Sequence, residues 1–82
     1  MELIFTYHAV KRIAQRKISF HEVIYCLKSP TKIYNKDGKI NYIKLIRDDE
    51  YLLLLPCRIE NDKCTIITVI ITSQLKRYLK YG

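Results

Sequence analysis

The hydrophobic period of this chain first changes at Ser29-Pro30. Before that point apolar side chains recur at helical spacing. Ala9, Val10, Ile13 and Ala14, with Tyr7 beside them, form one stripe with no Gly or Pro in it. This predicts a first helix over residues 6–16, with the Thr6 hydroxyl as N-cap. Ser19-Phe20-His21-Glu22 then reads as a capping box, in which the Ser hydroxyl and the Glu carboxylate each satisfy a free backbone donor. A second helix follows to residue 28 and buries Val23, Ile24 and Leu27. Pro30 ends it, because the residue before a proline is pushed out of the helical region.

After Pro30 the pattern is that of strands. Residues 31–35, 39–47, 51–60 and 64–72 are rich in Ile, Leu, Thr and Tyr. Polar turns bound them: Lys36-Asp37-Gly38, Asp48-Asp49-Glu50 and Asn61-Asp62-Lys63. Loops this short join antiparallel neighbours, so four strands in a meander are expected. Pro56 donates no ladder bond and predicts a bulge near Cys57-Arg58. The runs 52–55 and 66–71 lack strict alternation. Both faces of those strands should therefore be covered, one by the helices and the other by a partner or the chain's own end. Residues 73–80 return to helical spacing. Residues 1–5 read as an apolar lead-in. The expected fold class is α+β, with two N-terminal helices packed on a four-stranded antiparallel meander sheet and a short C-terminal helix.

Eighty-two residues make one domain, spanning 1–82, without repeats or linkers. A chain this size buries roughly 60–65% of its unfolded surface, which leaves no room for a buried cofactor beside a core. None is expected. Three cysteines, Cys26, Cys57 and Cys64, form no CxxC pair, and with the two histidines they give no metal-ligand spacing. Buried free thiols in a reducing cytoplasm are the simple reading. The first apolar stretch is interrupted too soon to be a signal peptide, and no run approaches the ~18 apolar residues of a membrane span.

Charge points to a polyanionic partner. Fifteen Lys and Arg face eight Asp and Glu, a net charge of +7. Residues 1–36 and 63–82 hold the excess, while the acids gather in the turns between. Within the first helix, His8, Arg12 and Arg16 recur at i, i+4 and i+8, so they share one side, flanked by Lys11 and Gln15. No acid stands between Phe5 and Phe20 to pair with these cations, and like charges at this spacing repel. A solvated helix face is the bland alternative; a face awaiting an anion is the sharper one.

Metal-independent RNA cleavage needs few parts: a base for the 2′-hydroxyl, cations for the crowded phosphorane, and an acid for the leaving oxygen. His8 can supply acid or base, and Arg12 and Arg16 the charge. Lys11, Lys44, Arg58, Lys76 and Arg77 are candidates to hold RNA phosphates. Tyr78 and Tyr81 can stack on bases or simply pack. His21 reads as a surface residue. The few acids, the absence of a nucleophile elbow and only two glycines argue against carboxylate-pair, serine-hydrolase and phosphate-loop chemistry.

The segment Tyr7-His8-Ala9-Val10-Lys11-Arg12-Ile13-Ala14-Gln15-Arg16-Lys17-Ile18-Ser19 resembles the opening of a small domain-of-unknown-function family, with the pattern His-Ala-x-x-Arg-(Met/Ile)-x-x-Arg-x-Ile-Ser. The resemblance continues through Val23, Leu27, Pro30 and Gly38 to Ile67-Thr68-Val69 and Thr72-Ser73-x-Leu75-Lys76-Arg77-Tyr78. That family is similar to RelE- and BrnT-like toxins of toxin–antitoxin pairs. The resemblance implies a RelE-like domain and a ribonuclease acting on mRNA, often on the ribosome, silenced by a cognate antitoxin. It carries over His8, Arg12, Arg16 and Thr72-Ser73. Lys17 stands where the pattern has Gly. Two rival readings use the same features: a non-catalytic RNA- or ribosome-binding module, and a small protein-interaction domain. An antitoxin or a second copy of the chain, in a homodimer, would cover any exposed sheet face.

Overall fold

In the computed structural model, which describes residues 1–79, Thr6 is the joint between a strand and a helix. Its Oγ1 accepts from the Ala9 N–H at 3.1 Å and donates to the Ile67 carbonyl at 2.6 Å. Before it lies β1 (Glu2–Phe5), and after it α1 (Tyr7–Gln15). Lys17 follows α1 with φ 53°, the left-handed conformation in which helices commonly end and which favours glycine. The capping box forms as the sequence predicts. Ser19 Oγ accepts from the Glu22 N–H at 3.1 Å, and Glu22 Oε1 accepts from the Ser19 N–H at 3.0 Å. It opens α2 (Phe20–Lys28).

The strands are β2 (Lys32–Lys36), β3 (Lys39–Ile46), β4 (Tyr51–Glu60), β5 (Lys63–Ile66) and β6 (Ile70–Thr72), followed by α3 (Leu75–Leu79). Asp37-Gly38 and Asn61-Asp62 both take positive φ at each residue, which gives the tight two-residue hairpins that suit the strand twist. Lys80 and Tyr81, expected near the end of the last helix, lie outside the described residues.

The sheet corrects the expected architecture. Six strands form one mixed sheet in the order β1-β5-β4-β3-β2, with β6 beside β4. It is not a four-stranded antiparallel meander with two helices packed on it, and the RelE-like fold class is set aside. Two segments account for the difference. The lead-in is strand β1, which runs parallel to β5 with Glu2 opposite Lys63 and Phe5 opposite Ile66. Four residues are too few for their alternation to be read from sequence. The expected last strand is also two: β5 pairs with β4 up to Cys57–Ile66, and β6 pairs with β4 from Leu54–Ile70.

Between those pairs β4 advances three residues and its neighbour four. One extra residue therefore sits in 67–69. The bulge expected at Cys57-Arg58 lies instead on the facing strand, and β4 itself is regular from Tyr51 to Cys57 against β3. Pro56 explains why. Its carbonyl accepts from the Ile67 N–H at 2.9 Å, so its nitrogen also faces residues 67–69, where the ladder is already interrupted. No bond to β3 is lost.

The bulge switches faces. Cys64 and Ile66 lie in a core with Ala9, Ile18, Val23 and Cys26, and with Leu53, Leu55 and Cys57 of β4. Beyond the bulge it is Val69 and Ile71 that reach this core, while Ile70 turns to the other side. There Ile43, Leu52 and Leu54 are packed by Leu75, Tyr78 and Leu79 of α3. The second cover is thus the chain's own end. It reaches only part of that face and leaves the half around Arg58 open.

Candidate nucleic-acid interface

Burial decides which side of α1 is free. Ala9 is fully buried and Ile13 packs on the core, so the residues at 8, 12 and 16 project sideways from the sheet-facing stripe. His8, Arg12 and Arg16 line one recess of about 300 Å³, whose other wall is Thr68, Val69, Ile70 and Ile71. β6 pairs with β4 alone, so among the described residues this wall is a strand edge without a further strand beside it. Among the described residues, neither Arg12 nor Arg16 is in a salt bridge. The ion pair present joins Arg47 to Glu22 at 2.9 Å and holds the Glu22 carboxyl below its ordinary range.

The remaining candidates are dispersed. Lys11 is exposed on α1 but does not line the recess. Lys44 lies on the helix-covered face, with its ammonium 4.3 Å from the centre of the Tyr25 ring. Lys76 and Arg77 are exposed on α3. Tyr78 packs in the second core with the Arg77 guanidinium 5.7 Å from its ring centre, which makes it a packing residue first. His21 is exposed at the start of α2.

Arg58 belongs to a different hollow, which the sequence reading missed. On the open half of the sheet, a groove of about 610 Å³ is lined by Thr6, Lys39, Arg58, Glu60, Asn61, Lys63, Thr65 and Ile67. Only the strand register brings these residues together. With Ile40 opposite Cys57 and Thr65 opposite Arg58, the register sets Lys39, Arg58 and Thr65 side by side on one face, on strands about 4.8 Å apart.

The three thiols are buried and unpaired. Burial pushes the Cys26 thiol up to about 12, and burial together with the neighbouring Cys64 raises that of Cys57. Neither thiol is therefore poised as a nucleophile. Among the described residues there is no group of three or more His, Cys, Asp or Glu side chains that could hold a metal ion. No helix among them is long and apolar enough to cross a membrane.

The model of a family described as a domain of unknown function, DUF4258, matches residues 5–71. The chain belongs to this family. The matched span runs from the end of β1 into β6, so the DUF4258 region contains every residue that lines the α1 recess and the sheet groove. It leaves α3, with Lys76, Arg77 and Tyr78, outside. No curated protein and no solved structure matches the chain.

Proposed function

We propose that this protein is a metal-independent ribonuclease of the toxin type, cleaving mRNA with His8 as the acid–base group and Arg12 and Arg16 as phosphate clamps. One observation carries the reading. Three side chains singled out by spacing alone line a single recess, and no carboxylate lines it with them. A recess holding an imidazole and two guanidinium forks matches the needs of a phosphodiester about to pass through a pentacoordinate state.

In the reaction, His8 takes the proton of a 2′-hydroxyl and that oxygen bonds to phosphorus. The bond from phosphorus to the 5′-oxygen breaks, and the leaving oxygen takes a proton from water. The imidazolium returns its proton to solvent. The products are a 2′,3′-cyclic phosphate and a 5′-hydroxyl end. Arg12 and Arg16 stabilise the non-bridging oxygens as their charge grows. In this reading Lys11, Lys76 and Arg77 contribute to the field that draws RNA in. Two further expectations come from the resemblance of the sequence to RelE- and BrnT-like toxins alone: an antitoxin that silences the protein, and mRNA as substrate either free or on the ribosome.

The test is induced expression in a bacterial host with mapping of mRNA 5′-hydroxyl ends, beside a His8→Ala, Arg12→Ala variant. Cleavage of purified RNA in chelator is the companion assay. New ends with the wild type alone are the expected result. New ends with both proteins would move the site away from α1. Intact mRNA with both, in soluble form, would leave an RNA-binding module without catalysis.

A further inference from the structure

The sheet groove and the α1 recess are neighbours. Thr6 lines the groove and His8 the recess; on the opposite wall, Ile67 lines the groove and Thr68 the recess. The hydrogen bond from Thr6 Oγ1 to the Ile67 carbonyl is the saddle between them. On one side of it stand His8, Arg12 and Arg16. On the other stand Lys39, Arg58 and Lys63, facing a single carboxylate, Glu60. Among the described residues none of these three cations is in a salt bridge. α3 covers the neighbouring part of the face and stops short of them.

We propose that Lys39, Arg58 and Lys63 form a second phosphate-binding track, which holds the single-stranded RNA on one side of the bond placed in the α1 recess. The proposal rests on the ribonuclease reading for the identity of the ligand and extends it. The substrate is an extended single strand of several nucleotides, bent over the Thr6–Ile67 saddle, and not a mononucleotide. A duplex does not suit two hollows that lie on different faces of a small sheet, because a rigid helix cannot turn between them. A flexible backbone can, and rows of cations on strand-like grooves are the usual way to track one.

The test uses His8→Ala protein, so that RNA stays intact, and measures binding of a labelled trinucleotide and a labelled dodecamer by fluorescence anisotropy across salt. The added change is Lys39→Gln with Arg58→Gln; Lys28→Gln, an exposed lysine at the far end of α2, is the charge control. Two lost phosphate contacts should lower the slope of log affinity against log salt by about 1.4. Taken from 1 M salt, that is a loss of roughly 25-fold at 0.1 M for the dodecamer. The trinucleotide should lose far less, and Lys28→Gln should alter neither slope. A dodecamer bound with unchanged affinity and slope would overturn the track and leave the ribonuclease reading standing. Equal losses for both lengths would overturn it too, because the groove would then act on the α1 site and not beyond it. Absence of RNA binding by every variant would overturn the track together with the ribonuclease reading, whereas a dodecamer bound no more tightly than the trinucleotide would overturn the track alone. Urea midpoints of each variant separate these outcomes from loss of fold.

Discussion

Thr6→Val is the most informative single change in this fold. Valine keeps the branched shape and removes one hydroxyl, which serves two bonds: it accepts from the Ala9 N–H at 3.1 Å and donates to the Ile67 carbonyl at 2.6 Å. Loss of the cap costs about 1 kcal/mol. Loss of the second bond costs about another 1 kcal/mol, because the half-buried Ile67 carbonyl is left without this donor. The sum of about 2 kcal/mol is large beside the roughly 4–12 kcal/mol expected for the whole domain. With a urea slope near 1 kcal/mol per molar, the midpoint should fall by about 2 M. Thr6→Ser keeps both bonds and should fall by less than half as much. Hydrogen exchange gives a local reading, since the Ala9 amide should lose protection in the Val variant more than the Val23 amide of α2. If Thr6→Val unfolds within about 0.5 kcal/mol of wild type, the hydroxyl does not tie α1 to the β5–β6 junction, and the joint must rest on apolar packing and the Thr6 N–H to Ile66 carbonyl bond.

Three further outcomes follow from the same geometry. Glu22→Gln keeps an acceptor for the Ser19 N–H but loses the Arg47 pair, and should cost under about 1 kcal/mol at neutral pH because both partners are partly exposed. The folded carboxyl lies below its ordinary value of 4.5, so the wild-type advantage is full above that value and is lost as pH falls through the lower one; urea midpoints that still differ well below it would refute the pairing. Lys17→Gly should stabilise by about 0.5 kcal/mol, since relief of the left-handed strain at φ 53° slightly exceeds glycine's extra chain entropy, and thermal melting reads the sign. The three buried thiols should ignore a disulfide reagent near pH 8 in the native protein and react fully in denaturant.

What the sequence made legible is what short-range physics determines. The Thr6 cap, the Ser19–Glu22 box and the Asp37-Gly38 turn each depend on residues within a few positions of one another, and each stands where the spacing puts it. The row of His8, Arg12 and Arg16 was legible for the same reason, because helical period alone aligns it. Long-range pairing was not legible. Nothing local in residues 2–5 announces a parallel partner at residues 63–66, and a parallel pair has no turn to fix its register. The bulge was half legible. Pro56 signalled that a ladder had to break, but a proline cannot tell from sequence which of its two neighbouring strands absorbs the extra residue. The sheet groove was hidden by the same gap, since Lys39, Arg58 and Lys63 become neighbours only once the register is known.

The extra residue in 67–69 also explains why a sheet this small carries two hollows. With a regular ladder, β5 and β6 would be one strand, and Ile70 would face the same core as Ile66. The shift sends Ile70 to the opposite side, where it helps seat α3, and brings Val69 and Ile71 under α1. Val69 and Ile71 also form part of the wall that His8, Arg12 and Arg16 face, so the same irregularity that anchors the C-terminal helix shapes the recess. A regular strand would give α3 a different footing and α1 a different wall. Removing Thr68 to restore the ladder should therefore damage both at once. Tyr78 would lose its place in the second core, and the spacing of the recess would change even if the fold survives. A deletion variant that melts like wild type and retains its RNA affinity would show that the bulge is incidental to both.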